Sequence, residues 1–232
     1  MALIVRIDVD RAYGKQPQYR HVLSRLSSDF YFPKLESLGY LKELIWMLET
    51  LNEHRAKSYA FFRRCTLPSP AVMALLQEGG HEIGLHLENS RSFESFCEEK
   101  NILEQHVGKS VSAVSKHGSG GARYGFHHYA PYEPEKYMTW ARDSGMKVFL
   151  GNLEDPTLEP QRSQEIPLTF PSAFWLEPHW RDTGKFSIDW LVSRAKEHDT
   201  VLLVHPENVV ESPQLTAAFV HLIRSLPTTL LS

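Results

Sequence analysis

Residues 79 to 90, Gly-Gly-His-Glu-Ile-Gly-Leu-His-Leu-Glu-Asn-Ser, constrain the fold more than any other stretch. Two glycines close whatever precedes them. Ile83, Leu85 and Leu87 then alternate with Glu82, Gly84, His86 and Glu88. A period of two is a strand. One face is apolar and buried. The other carries a glycine, an imidazole and a carboxylate, and buried polar groups need partners. The polar groups collect at the C-terminal end of the strand, where parallel α/β sheets and barrels place their ligands.

The rest of the chain repeats this plan. Leu3, Val5, Ile7 and Val9 share one face of a first strand, and Ile4, Arg6, Asp8 and Asp10 share the other. Two carboxylates on one face would repel when buried, and a cation between them removes that penalty. Residues 11 to 32 show no clear period and predict a long loop with a short helix. Leu38, Leu41, Leu44, Ile45, Leu48 and Leu51 recur at helical spacing and predict a helix over 36–54. Tyr59 to Phe62 is a second strand ending in Arg63-Arg64. Ser69 is a plausible N-cap for a helix over 70–78. Ser90 or Ser92 caps a helix running to about residue 106.

Val111 to Lys116 predicts a fourth strand, ending in His117-Gly118-Ser119-Gly120-Gly121. The glycines let the backbone approach a ligand, but no Gly-Lys-Ser/Thr terminus marks a phosphate loop. Residues 122 to 133, rich in aromatics and histidines, are expected to lie over the site. A helix over 134–144 and a strand over 146–150 follow, then a loop over 151–165. Ile166 to Phe170 and Ala173 to Leu176, interrupted by Pro171, predict one sixth strand. A helix over 186–197 leads to Val201-Leu202-Leu203-Val204, an apolar run expected of a parallel strand covered on both faces. His205 follows it, and a last helix covers 213–225. About seven strands alternating with helices mean an α/β fold with parallel strands. Four strand ends carry Asp8/Asp10, His86/Glu88, His117 and His205.

Composition excludes several classes. A formal net charge of −3 gives no footprint for nucleic acid. Cys65 and Cys97 have no paired spacing, which suits a reducing compartment. No stretch approaches the ~20 apolar residues of a transmembrane segment, and the apolar N-terminus is too short for a signal sequence. A cytoplasmic protein with one domain over residues 1–232 is expected.

Ala60-Phe61-Phe62, a proline-led helix and Gly80-His81-Glu82-Ile83-Gly84-Leu85-His86 together resemble the polysaccharide deacetylase family of carbohydrate esterases. Asp8-Val9-Asp10 is similar to its first motif and Leu202-Leu203-Val204-His205 to its last. The likeness spans residues 3 to 206 and is greatest to deacetylases encoded with O-antigen synthesis genes. It implies an irregular (β/α) barrel of about seven parallel strands, with Asp8 as general base, Asp10 and His86 as metal ligands and His205 as general acid. It also implies removal of acetyl groups from an N- or O-acetylated sugar of a surface-polysaccharide precursor.

Two departures stand out. The second metal histidine of the family falls at Ser90, and serine is a poor neutral ligand for zinc. The Arg-x-Pro-x-Gly motif is replaced by Ser115-Lys116-His117-Gly118. A catalytic zinc site needs three protein ligands. His117, at the end of the strand expected beside His86, is favoured as the third, with Glu88 as the alternative. Arg63, Tyr124 and His128 are expected to contact substrate, and His81, at the far end of its strand, to be structural. The alternatives to a deacetylase are a carbohydrate-binding or scaffold barrel without activity, and an amidase acting on a small non-sugar amide.

Overall fold

The structure is a computed structural model that describes residues 1–162, 167–177 and 186–231. Eight parallel strands form one sheet: β1 Leu3–Val9, β2 Ser58–Phe62, β3 Glu82–Leu87, β4 Ala113–Lys116, β5 Val148–Leu153, β6 Leu168–Ser172, β7 Phe174–Trp175 and β8 Thr200–Val204. Their order across the sheet is β6-β5-β4-β3-β2-β1-β8-β7. The edge strands β6 and β7 are separated by Ala173 alone. Residues two apart can be at most about 7 Å apart, so the two edges meet and the sheet curls into a nearly closed barrel.

The single sixth strand expected around Pro171 is therefore two strands, which raises the number to eight. The chain leaves β5 on one edge and joins β8 on the other as it passes Ala173. Pro171 lies in the edge strand β6, where a missing N–H is tolerated. Gly151 makes that approach possible, since a Cβ there would lie 2.3 Å from the Pro171 carbonyl oxygen. Ile166, the expected start of this strand, lies outside the described residues.

Strand alternation gives the barrel two cores. Leu3, Val5, Ile7 and Val9 pack outward against the helices, in a cluster with Leu85, Phe96 and Phe219. Ile4 points inward to Tyr59, Phe61, Leu150 and Leu203. Farther along β1 the inward positions change from Ile4 to Arg6 and Asp8, so one end of the interior is apolar and the other polar. Phe61 reaches the axis because Gly84 has no side chain; a Cβ there would lie 2.3 Å from the ring.

Helices α1 Gln18–Phe30, α2 Lys42–Glu53, α3 Pro70–Gly79, α4 Phe93–Val107, α5 Pro134–Asp143, α6 Ile188–Glu197, α7 Pro206–Glu211 and α8 Pro213–Ser225 surround the sheet. Ser69 caps α3 by accepting from Val72 N–H, and Ser92, rather than Ser90, caps α4. The segment expected to be mostly loop after β1 contains a 13-residue helix, α1. Its inward face is polar: Arg20, Ser24, Ser27 and Ser28 are buried at helical spacing. A search for apolar periodicity misses such a helix. The helix expected over 36–54 is broken, because Gly39 and Leu41 adopt left-handed φ of 80° and 54° and α2 starts only at Lys42. Helix α7, led by Pro206, was not expected from the sequence. Among the described residues no helix is long and apolar enough to cross a membrane.

Candidate metal centre

The C-terminal ends of β1, β3, β4 and β8 bring four side chains to one point. Asp10 Oδ1 lies 3.0 Å from His86 Nε2 and 2.9 Å from His117 Nδ1, and Asp10 Oδ2 lies 3.3 Å from His205 Nε2. β3 and β4 are neighbours in the sheet, which is why two strand-end imidazoles meet. Among the described residues Asp10, His86 and His117 form the one group able to share an ion.

Several observations fit a cation there. His117 Nδ1 is buried and makes no hydrogen bond; it faces Asp10 at close range but out of line. Ligands of a tetrahedral zinc with ~2.0–2.1 Å bonds sit about 3.3 Å apart, close to the spacings found. His86 Nδ1 lies 2.7 Å from Ser115 Oγ, which leaves Nε2 to offer its lone pair when Nδ1 carries the proton. Burial, helped by the Arg63 charge, pushes the His117 pKa down to about 3, so the ring is neutral, the form that ligates. For Asp10, burial opposes ionisation, but the charged His205 beside it helps hold the carboxyl well below the usual range.

Glu88 takes a different course. It is buried in an ion pair with Arg63, whose charge overcomes the effect of burial and lowers the carboxyl's pKa. Its Oε1 is therefore engaged by a guanidinium, and Glu88 lies outside the metal-competent group. Ser90 is fully buried, with Oγ 3.3 Å from the Tyr137 hydroxyl.

Asp8 is buried deeper along β1 and is gripped by Arg6, whose Nε and Nη2 donate to its two oxygens at 2.8 and 2.6 Å. Arg6 also donates to the carbonyls of Leu150 and Gly151 and to Asn152 Oδ1. Burial would raise the Asp8 pKa, but Arg6 and His86 lower it on balance. His205 Nδ1 lies 2.5 Å from Glu177 Oε1. Burial disfavours its charged form, yet Asp10 and Glu177 raise its pKa well above the ordinary value. Asn208 Nδ2 donates to the other Glu177 oxygen.

Sequence reasoning missed Arg6, Glu177 and Asn208. Arg6 on the polar face of β1, two residues before Asp8, was the one legible signal.

Asp8, Asp10, His86, His117, Glu177, His205 and Asn208 line a cavity of about 400 Å³ together with Trp175, Tyr124, Arg63 and Lys116. Tyr124 is about half exposed. The two Nη groups of Arg63 donate internally, to Asp10 O at 2.8 Å, Ser28 Oγ at 2.9 Å and Glu88. His128 is buried and is not a lining residue; its Nε2 lies 2.8 Å from the His117 carbonyl oxygen and its Nδ1 accepts from Tyr124 N–H. Lys116 Nζ donates to the same His117 carbonyl at 2.6 Å. His128 and Lys116 hold the segment after β4 in place.

The fold has relatives among solved structures. A CE4 family pseudoenzyme from Bacillus anthracis superposes with a TM-score of 0.50 at 13% identity, covering 96% of this chain and 59% of its own. A variant of it with restored enzymatic activity gives a TM-score of 0.50 at 13% identity, covering 96% and 61%. The chain shares its fold with CE4 family proteins. It spans about 60% of the length of these two. A peptidoglycan deacetylase from Bacillus subtilis aligns over 96% of this chain and 81% of its own, with 12% identity and a TM-score of 0.47. No protein-family profile and no curated protein matches the sequence.

Proposed function

We propose that this protein is a metal-dependent deacetylase acting on an N- or O-acetylated sugar of a surface-polysaccharide precursor of the O-antigen kind, met in the cytoplasm. One observation carries the reading: a neutral, buried His117 Nδ1 without a hydrogen bond, converging with His86 and Asp10 at the floor of a cavity. Asp10, His86 and His117 would hold a divalent cation, zinc by the nature of the donors, which would supply Lewis acidity toward the acetyl carbonyl and toward water.

The chain's own residues do the rest. Asp8 accepts the proton of the attacking water; Arg6 keeps the carboxylate ionised and fixes the direction of its lone pairs. His205 carries its proton on Nε2, on the cavity side, and gives it to the leaving amine or alkoxide. Glu177 stabilises the imidazolium from Nδ1, and Asn208 keeps Glu177 in place. Tyr124 offers the sugar an exposed ring, while Arg63 and His128 act on substrate through the wall they hold.

The test is acetate release by zinc-loaded protein from a panel of N- and O-acetylated sugars, lost on chelation and restored by metal. A second reading is a carbohydrate-binding barrel without turnover. Ser90, buried against Tyr137 where the resemblance places a metal histidine, favours it, and a fold neighbour is itself described as a pseudoenzyme. Sugar binding without acetate release supports this second reading. Release restricted to small non-sugar amides supports an amidase.

A further inference from the structure

One wall of the cavity is not used by this chemistry. From Arg11 to Ser28 the sequence contains Arg11, Lys15, Arg20, His21 and Arg25 but no Asp or Glu, in a chain whose net charge is −3. Arg20 turns inward to pair with Glu43. The other four all line the cavity. At the floor, Asp8 pairs with Arg6 and Glu88 with Arg63, while Asp10 and Glu177 flank His205. At the wall, Arg11, Lys15 and Arg25 face one lining carboxylate, Glu207, so the surplus there is positive.

The partners of these cations are weak ones. Lys15 Nζ donates to the side-chain oxygen of Asn208, a neutral amide. Arg11 Nη1 lies 3.0 Å from His21 Nδ1, and its Nε is 3.4 Å from Glu207. Arg25 pairs with Asp29 at 3.1 Å with its own side chain 63% exposed. Exposed or long ion pairs contribute little, so each cation can turn to a better acceptor without much loss. Guanidinium forks match the oxygens of carboxylates and phosphates. A cavity of about 400 Å³ has room for one substituted sugar ring.

We propose that the sugar bound in this cavity carries an anionic group, a carboxylate or a phosphate, and that Arg11, Lys15 and Arg25 hold it. This deepens the deacetylase reading and rests on it only for the acetyl group. Binding is measured by calorimetry on the full chain with zinc, at low and high salt. The probes are N-acetylglucosamine, its 6-phosphate, its 1-phosphate and N-acetylglucosaminuronate, with glucose 6-phosphate and glucuronate as acetyl-free controls.

The acetylated anionic sugars are expected to bind at least about tenfold more tightly than N-acetylglucosamine, as for a charged hydrogen-bonding partner. The advantage shrinks at high salt, and it falls by about tenfold in Arg11→Gln/Arg25→Gln. Preference for the phosphates or for the uronate identifies the anion. Equal binding of the neutral sugar, a preference that the double variant retains, or no binding of any anionic sugar would overturn the proposal. If acetylated and acetyl-free anions bind alike and no acetate is released, the anion site stands and the deacetylase reading falls. If acetate is released from neutral and anionic sugars equally and without salt dependence, the reverse holds.

Discussion

Strand β3 has a histidine at each end, and the two have opposite fates. His81, just before the strand, has both ring nitrogens matched: Nδ1 accepts from Ser58 N–H at 3.1 Å, and Nε2 lies 2.7 Å from Asn52 Oδ1. Gly79 leaves the space for this, since a Cβ there would sit 2.0 Å from Asn52 Oδ1. His86, five residues on, has one nitrogen on Ser115 and the other aimed at a carboxylate shared with two further imidazoles. A closed set of partners makes His81 a structural residue. A convergent set with a buried nitrogen left over makes His86 part of a site. The difference lies in what surrounds the ring, not in its burial, since both are within 3% of full burial.

Removing each ring in turn separates the two roles. His86→Ala should abolish metal binding and acetate release, while circular dichroism and melting behaviour stay native-like, because the barrel core does not depend on this ring. Full metal occupancy in the variant would show that His86 is not a ligand. Asp8→Asn comes next. It should keep the metal and reduce turnover by roughly 10²–10⁴-fold, the scale of lost general base catalysis; metal loss instead would mean that Asp8 is a ligand.

His81 should answer to stability rather than to metal. Burial, with Lys57 nearby, pushes its pKa from the ordinary 6.5 down to about 4. Between these values the unfolded chain binds a proton that the native chain does not, so stability falls as pH drops from 6.5 toward 4. The loss amounts to roughly 3 kcal/mol. Denaturant titrations across this window should show the slope in the wild type and a flatter curve in His81→Gln. An unchanged slope in the variant would assign the acid sensitivity elsewhere. The smallest expected effect is that of Ser115→Ala, which frees the back of His86. It should weaken metal affinity by about 10–100-fold, the usual cost of losing an outer hydrogen bond to a ligand, measured by competition with a chelator.

Much of this was legible in the sequence, for identifiable reasons. The inward face of β1, Ile4-Arg6-Asp8, and the apolar run of β8 follow from the strand period, and so does the convergence of His86 with His117 on neighbouring strands. Three things were not legible. Helix α1 hides its period in serines and an arginine that find polar partners only after folding. The division of residues 168–175 between β6 and β7 depends on barrel closure, which no local pattern encodes. Glu177 and Asn208 meet His205 across separate elements, so their pairing is visible only in three dimensions.

The third ligand is tested directly by anomalous diffraction at the zinc edge from crystals soaked in zinc. One strong peak is expected, bound by a carboxylate oxygen of Asp10, Nε2 of His86 and Nδ1 of His117, with nitrogen distances of ~2.0–2.1 Å, and with Glu88 still on Arg63. A peak ligated by Glu88 with His117 beyond about 4 Å, well outside coordination range, or no peak at all, would contradict it.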